Sequence, residues 1–184
     1  MRTARLRAKR FGGSAVAFGE GGTTDHRLRS TMMQPSLTFV FELRAQVEPA
    51  MDFGEISPGR RRRMVPITSG RFEGPQLRGR ILPGGADWQI VHPDGFTELD
   101  SRYALTTDAG ALIAVRNTGV RRAAPEVMAK LLAGESVDPA QVYFRTMPTF
   151  ETSAPELQWL ARSTFIGVGE RYPSEVVVRF WQVV

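Results

Sequence analysis

The feature that most constrains this fold lies between residues 76 and 118, where segments of alternating apolar and polar residues are joined by tight turns. Its three turns are Pro83-Gly84-Gly85, Pro93-Asp94-Gly95 and Asp108-Ala109-Gly110. Proline presets φ for a turn, and glycine accepts a positive φ. Between the turns, apolar and polar residues alternate with a period of two, which is typical of half-buried strands. The pattern therefore predicts four antiparallel strands joined as a meander.

The same pattern extends over most of the chain after residue 36. A long alternating run begins at Leu37 and ends before Pro49, and we predict that its Phe39 and Phe41 share one inward face. Pro125 begins one short helix that ends near Gly134. The other predicted strands cover residues 64–67, 77–82, 86–91, 96–107, 111–117, 143–150, 164–168 and 175–184, and residues 155–161 predict a single helical turn.

These elements predict an all-β fold with one short helix. Strands and helices do not alternate regularly, which excludes Rossmann and TIM-barrel architectures. Eight to ten antiparallel strands must protect their edges, and closure into a barrel does so. We therefore predict one antiparallel β-barrel domain over residues 35–184, with an open two-sheet sandwich as the alternative. A barrel of about eight strands has room for packed side chains or one small ligand.

The composition excludes several kinds of site. The chain has 184 residues and no cysteine, so disulfides, zinc–thiolate sites, iron–sulfur clusters and cysteine nucleophiles are excluded. Its two histidines, His26 and His92, are far apart in the sequence, which argues against a histidine-rich metal site. No apolar stretch reaches the length of a transmembrane helix. We expect a cytoplasmic protein with no metal or other cofactor and no membrane partner.

The net charge of +5 arises in the first 31 residues. They contain seven basic and two acidic residues, so residues 32–184 contain 17 of each sign. Because a folded nucleic-acid module carries its positive charge on the fold itself, no nucleic-acid partner is expected. Residues 1–34 are interpreted as a basic, disordered N-terminal extension. A misassigned start and a targeting segment are the alternatives.

A series of motifs between residues 66 and 117 is similar to a known family. The motifs are Pro66-Ile67-Thr68-Ser69-Gly70, Phe72-Glu73-Gly74-Pro75, Leu82-Pro83-Gly84-Gly85-Ala86-Asp87-Trp88-Gln89, Leu99-Asp100-Ser101-Arg102-Tyr103 and Ala111-Leu112-Ile113-Ala114-Val115-Arg116-Asn117. Over about residues 35–184 the chain resembles the domain-of-unknown-function family 3237, also catalogued as uncharacterised protein family 0311. The chain departs from the family at Ser69, where the family usually has a second glycine beside Gly70. The resemblance implies a small closed or nearly closed barrel, broadly like allene oxide cyclases and dirigent proteins, and no settled activity.

Eight residues are candidates for chemistry or binding. The predicted catalytic residues are Asp87, Glu73, Tyr103 and Arg116, and the predicted substrate-binding residues are Phe39, Phe41, Trp88 and Asn117. A carboxylate beside apolar or turn residues can be desolvated, which raises its pKa towards the range of a general acid or base. A tyrosine hydroxyl, an arginine fork and an asparagine amide can hold a substrate's polar groups.

Each candidate also has a structural interpretation. Asp87 could cap its turn, Trp88 could belong to the core, and Glu73 could lie on a surface loop. Arg116 and Asn117 are adjacent in a strand, so one of the two must face away from any lumen. The run Arg60 to Arg63 could bind an anion, although a solvated strand edge that resists sheet-to-sheet pairing is the favoured interpretation.

Three hypotheses about function follow. In the first, the barrel encloses a small, largely apolar organic molecule and catalyses cofactor-free isomerisation, cyclisation or lyase chemistry. In the second it is a carrier without catalysis, and in the third an interaction protein that uses Arg60 to Arg63. A lumen closed at one end with two convergent ionisable groups would favour the first. A wholly apolar lumen would favour the second and a filled lumen the third. A homo-oligomer is left open.

Overall fold

The computed structural model describes residues 34–184, so the predicted N-terminal extension lies almost entirely outside the described residues. Ten strands and two α-helices form this part of the chain. The strands are β1 (Leu37–Val47), β2 (Met51–Ser57), β3 (Arg60–Glu73), β4 (Arg78–Ile81), β5 (Gly85–Val91), β6 (Thr97–Thr107), β7 (Leu112–Arg122), β8 (Tyr143–Glu151), β9 (Phe165–Arg171) and β10 (Glu175–Val183). The helices are α1 (Pro125–Leu132) and α2 (Gln158–Ala161), with single 3₁₀ turns at Pro139–Gln141 and Pro155–Leu157. Both α-helices are far too short to span a bilayer.

Antiparallel pairing closes the sheet into an eight-position barrel. The ring closes because β1 pairs with β10 along one edge and with β3 along the other. From β1 the wall continues through β10, β9, β8, β7 and β6. Next, β4 and β5 together fill one position between β6 and β3. Outside the ring, β2 pairs with the first half of β3. The predicted antiparallel β-barrel with little helix is confirmed.

The described strands differ from the predicted ones by one additional strand and by several longer ones. The prediction omits β2, whose apolar residues are interrupted by Asp52, Gly54 and Glu55. The strand predicted at residues 64–67 begins at Arg60, since the arginine run is paired with both β2 and β5. That run is therefore not a free strand edge. The strand predicted to end at Asn117 continues to residue 122, because β6 and β8 hold it on both sides.

One end of the barrel is closed by aromatic packing. Five buried phenylalanines meet there with ring centroids 4.9–6.2 Å apart, namely Phe41, Phe72, Phe150, Phe165 and Phe180. Leu157 and Leu160 beside and within α2 belong to the same apolar cluster. Along the wall, the strands run from this cluster towards polar inward-facing residues, so the opposite end holds the candidate site.

A bulge in β1 separates the two phenylalanines that were predicted to share an inward face. The register of β1 with β10 shifts between Phe39 and Phe41, and both Val40 and Phe41 are buried. Phe39 is instead 38% exposed, with its ring 5.9 Å from that of Trp181. An extra residue on one strand reverses the facing of everything before it. Phe39 therefore lies on the outer surface, and the expectation that it lines the lumen is wrong.

Candidate functional site

A narrow cavity enters the barrel from its open end. It has a volume of about 40 Å³. It adjoins a wider basin of about 400 Å³, because Val65, Gln89 and Arg171 line both. Leu131 and Leu132, at the end of α1, form part of the basin wall. The polar residues that line the narrow cavity are Asp87, Gln89, Ser101, Tyr103, Asn117, Thr146 and Arg171.

The pleat of β5 places Asp87 inside the barrel and its neighbour Trp88 outside. Successive side chains of a strand point to opposite faces. Asp87 and Gln89 accordingly line the cavity, whereas Trp88 is 39% exposed with its ring 5.8 Å from that of Phe53 on β2. Asp87 keeps some accessible surface although it lies within the wall, so that surface faces the cavity. Trp88 therefore does not line the cavity, and the expectation that it binds a substrate there is wrong.

Two side chains of the barrel wall hold the Asp87 carboxylate. Gln89 Nε2 donates a hydrogen bond of 2.7 Å to its Oδ2, and Ser101 Oγ donates one of 2.7 Å to its Oδ1. Burial raises the pKa of Asp87, and this effect exceeds the opposing effects of the two hydrogen bonds and of the positive charge on Arg121. The carboxyl is thus fixed in place, and its raised pKa favours the protonated form. An aspartate that caps a turn would instead favour the charged form.

Tyr103 and Asn117 lie close to Asp87 on the next two strands of the wall. In the register of β6 with β7, Ser101 faces Asn117, so the asparagine side chain stands beside the Asp87 hydrogen bond. Burial, and then the charge of Asp87, raises the pKa of Tyr103, which therefore keeps its proton and can donate it in a hydrogen bond. These two predicted site residues do meet Asp87 in one cavity.

Some buried polar atoms around this region have no hydrogen-bond partner within residues 34–184. They are Asn117 Oδ1, Thr146 Oγ1 and Arg121 Nε. Native proteins pair the great majority of buried polar groups. Asn117 and Thr146 line the cavity and Arg121 lines the basin. Their free donors and acceptors can therefore hold a polar ligand.

The remaining predicted site residues lie away from the cavity. Arg116 is exposed and makes a two-point contact with Asp100, with Nε 3.0 Å from Oδ1 and Nη2 3.1 Å from Oδ2. It faces outward because its neighbour Asn117 faces inward. Glu73 is exposed at the end of β3. Phe41 faces inward as predicted, but it is packed in the phenylalanine cluster rather than lining the cavity.

Several site residues escaped the sequence prediction. Gln89 and Ser101 could have been found from strand alternation, because Gln89 lies two residues from Asp87 and Ser101 two residues from Tyr103. Arg121 was beyond the predicted end of β7, and Arg171 was beyond the predicted end of β9. Among residues 34–184, no three histidine, aspartate or glutamate side chains gather as a metal site would require.

The family is decided by a match over nearly the whole barrel. The model of the family described as "Protein of unknown function (DUF3237)" matches residues 35–183. The chain belongs to this family. A relative from Rhodopseudomonas palustris strain TIE-1 is named UPF0311 protein. It is 42% identical over 153 residues, which are 82% of this chain and 99% of the relative. The family expected from the motifs is confirmed.

Solved structures share the barrel of this DUF3237 chain. A conserved protein of unknown function from Rhodopseudomonas palustris superposes with a TM-score of 0.79 at 38% identity. The match covers 83% of this chain and 100% of that protein. A beta-barrel like protein from Acinetobacter baumannii AYE gives a TM-score of 0.74 at 36% identity, covering 84% and 99%. A protein from Penicillium herquei described as an enzyme gives 0.62 at 21% identity, covering 83% and 97%, and that likeness shows the fold alone.

Proposed function

We propose that this barrel binds a small organic molecule at its open end and that Asp87 transfers a proton to or from it, as in an isomerisation, cyclisation or elimination. The observation that carries the proposal is the position of the Asp87 carboxyl. It faces the narrow cavity, it is held by Gln89 and Ser101, and burial raises its pKa. A carboxyl whose pKa approaches the working pH can both accept and release a proton.

The form of the interior supports this proposal over the two alternatives from the sequence. The lumen is closed at the phenylalanine end, and ionisable groups converge above it, since the charges of Asp87 and Arg121 each act on the pKa of the other. A carrier of apolar molecules would need a wholly apolar lumen. An interaction protein would need no cavity lined by an aspartate with a raised pKa.

The two volumes restrict how a substrate could be placed. A cavity of about 40 Å³ admits only a small part of an organic molecule, whereas the basin of about 400 Å³ suits the bulk of one. The reacting atoms would therefore enter next to Asp87 while the rest of the molecule stays in the basin. Tyr103, which keeps its proton, would donate a hydrogen bond to a substrate oxygen in the cavity.

Deuterium exchange tests the proposal without knowledge of the natural substrate. A panel of small ketones, enols and unsaturated acids would be incubated with the protein in D₂O, and deuterium incorporation at carbon would be followed by proton NMR. Reversible proton transfer labels the substrate even where no net product accumulates. For any compound that is labelled, Asp87→Asn keeps the shape of the side chain and should slow labelling by about 10²–10⁴-fold.

Asp100→Asn is the matched control, because Asp100 is an aspartate of the neighbouring strand β6 that pairs with Arg116 outside the barrel. It should label the same compound at the wild-type rate. Labelling that Asp87→Asn leaves unchanged would overturn the proposal. Compounds that bind in the basin without any labelling would favour the carrier hypothesis instead.

A further inference from the structure

Three arginines line the basin at the open end of the barrel. Arg63 comes from β3, Arg121 from β7 and Arg171 from β9. No two of these strands are adjacent in the wall, so the side chains approach the basin from different sides. Burial, followed by the charges of Arg171 and Arg63, lowers the pKa of Arg121 to about 10. Arg63 likewise lowers the pKa of Arg171, although burial is again the main cause. All three remain cationic at neutral pH.

The described residues supply little negative charge to balance this cluster. Within residues 34–184, none of the three arginines forms an ion pair. Arg63 donates to the carbonyl oxygen of Leu132 at 3.3 Å, and Arg171 donates to the carbonyl oxygens of residues 172 and 175. Asp87 is the carboxylate that acts on Arg121 and Arg171, and burial disfavours its charged form. The charge of Asp52 acts on Arg63, but the Asp52 carboxylate is already paired with Arg61.

Arg121 is the most deeply placed of the three. The residue is 4% exposed, its Nε has no hydrogen-bond partner among the described residues, and its Cζ lies 5.9 Å from the centre of the Phe144 ring. A buried cation without a hydrogen-bonded counter-charge is costly. The cluster would therefore gain from an added anion more than an exposed group of arginines would.

We infer that this basin binds the oxyanion head of a small organic anion, with Arg63, Arg121 and Arg171 as its ligands. The inference rests on the proposed function, whose substrate class it specifies. The arginine fork contacts a carboxylate or a phosphate through two parallel hydrogen bonds. An apolar body would lie against Val65, Leu131, Leu132 and Pro173, which line the same basin.

Three probes that share one ring separate charge from shape. Benzoate and phenyl phosphate carry the two oxyanion heads, and benzyl alcohol is a neutral molecule of similar size. Binding to the full-length protein would be followed by calorimetry and by the NMR signals of the arginine Nε–H groups. We expect both anions to bind at least about tenfold more tightly than benzyl alcohol, since hydrogen bonds between charged groups are the stronger ones. The tighter of the two anions identifies the preferred head.

Variants at adjacent positions of one strand locate the site. Arg121→Gln should weaken binding of the preferred anion by about ten- to a hundredfold. Arg122→Gln is the control, because Arg122 is exposed on the other face of β7 with its Cζ 4.7 Å from the centre of the Tyr143 ring. It should change binding less than about twofold. Arg171→Gln should weaken binding like Arg121→Gln, and it serves where the more buried substitution impairs folding.

The inference and the proposed function can fail separately. Asp87→Asn removes a negative charge near the arginines, so it should keep or improve anion binding while it slows proton transfer by about 10²–10⁴-fold. Equal affinity for benzyl alcohol and the anions would overturn the inference. So would failure of both anions to shift any arginine Nε–H signal, or equal weakening by Arg121→Gln and Arg122→Gln. None of these results would touch deuterium labelling that depends on Asp87.

Discussion

Ser101 Oγ donates a hydrogen bond of 2.7 Å to Asp87 Oδ1 from the position directly opposite in the pairing of β5 with β6. Together with the hydrogen bond from Gln89, it fixes a carboxyl in the barrel interior. Burial nevertheless raises the pKa of Asp87. The site therefore combines a precise position with a carboxyl that is drawn towards its protonated form, which is the combination that proton transfer requires.

The first prediction concerns the pH dependence of stability. The folded-state pKa of Asp87 is raised above its ordinary value of 3.8, so its contribution is fully present below pH 3.8 and is lost as the pH rises through the folded pKa. Asp87→Asn cannot ionise. The free energy of unfolding of the Asp87→Asn variant should therefore increase relative to that of the wild type as the pH is raised from 3.8 through the folded pKa of Asp87. Urea unfolding at several pH values measures this difference.

Asp100→Asn should show the opposite trend. The hydrogen bond from Arg116 lowers the pKa of Asp100, so its contribution is present above 3.8 and is lost as the pH falls through the folded pKa. The variant should therefore lose stability relative to the wild type as the pH rises, by about 1 kcal/mol at most, because the pair is largely solvated. Parallel trends in the two variants would contradict the assignment of Asp87.

The second prediction compares two phenylalanines of β1. Phe41 is 1% exposed in the cluster that closes the barrel, so Phe41→Ala should lower the free energy of unfolding by about 3–5 kcal/mol. Phe39→Ala should lower it by about 1 kcal/mol or less, because Phe39 is on the outer surface. Chemical denaturation measures both. Equal losses would contradict the bulge between the two residues.

Much of the architecture follows from local pattern, whereas the site depends on pairing. Tight turns and alternation predict the meander and the closure, because both signals are local in sequence. The bulge that turns Phe39 outward exists only in the register of β1 with β10, so the sequence of β1 alone does not reveal it. The alternation of side chains along a strand places Asp87 and Trp88 on opposite faces of the sheet. The prediction that both residues belong to one cavity is therefore inconsistent with the strand pattern.

The arginines of the basin were hidden for a related reason. Residues 118–122 do not alternate between apolar and polar, yet pairing with β6 and β8 extends the strand and turns Arg121 inward. Arg63 belongs to a run that resembles a solvated surface, and its partners on β2 and β5 make it part of the wall. Burial of a charged side chain is decided by neighbours that are distant in the sequence.

The third prediction concerns the first 33 residues, which lie outside the described part of the chain. The barrel closes through pairings of residue 37 and beyond, so deleting residues 1–33 should shift the melting temperature little. Differential scanning calorimetry of the full and shortened chains measures this. A large decrease would show that the extension stabilises the fold.

Titration of the Asp87 carboxyl carbon by NMR in the free protein tests the central claim most directly. Asp100 in the same sample provides an internal reference, since its pKa is shifted the other way. The account predicts that the Asp87 signal titrates above its ordinary value of 3.8 and that the Asp100 signal titrates below it. An Asp87 signal that titrates at or below 3.8 would contradict the assignment of Asp87 as the group that transfers the proton.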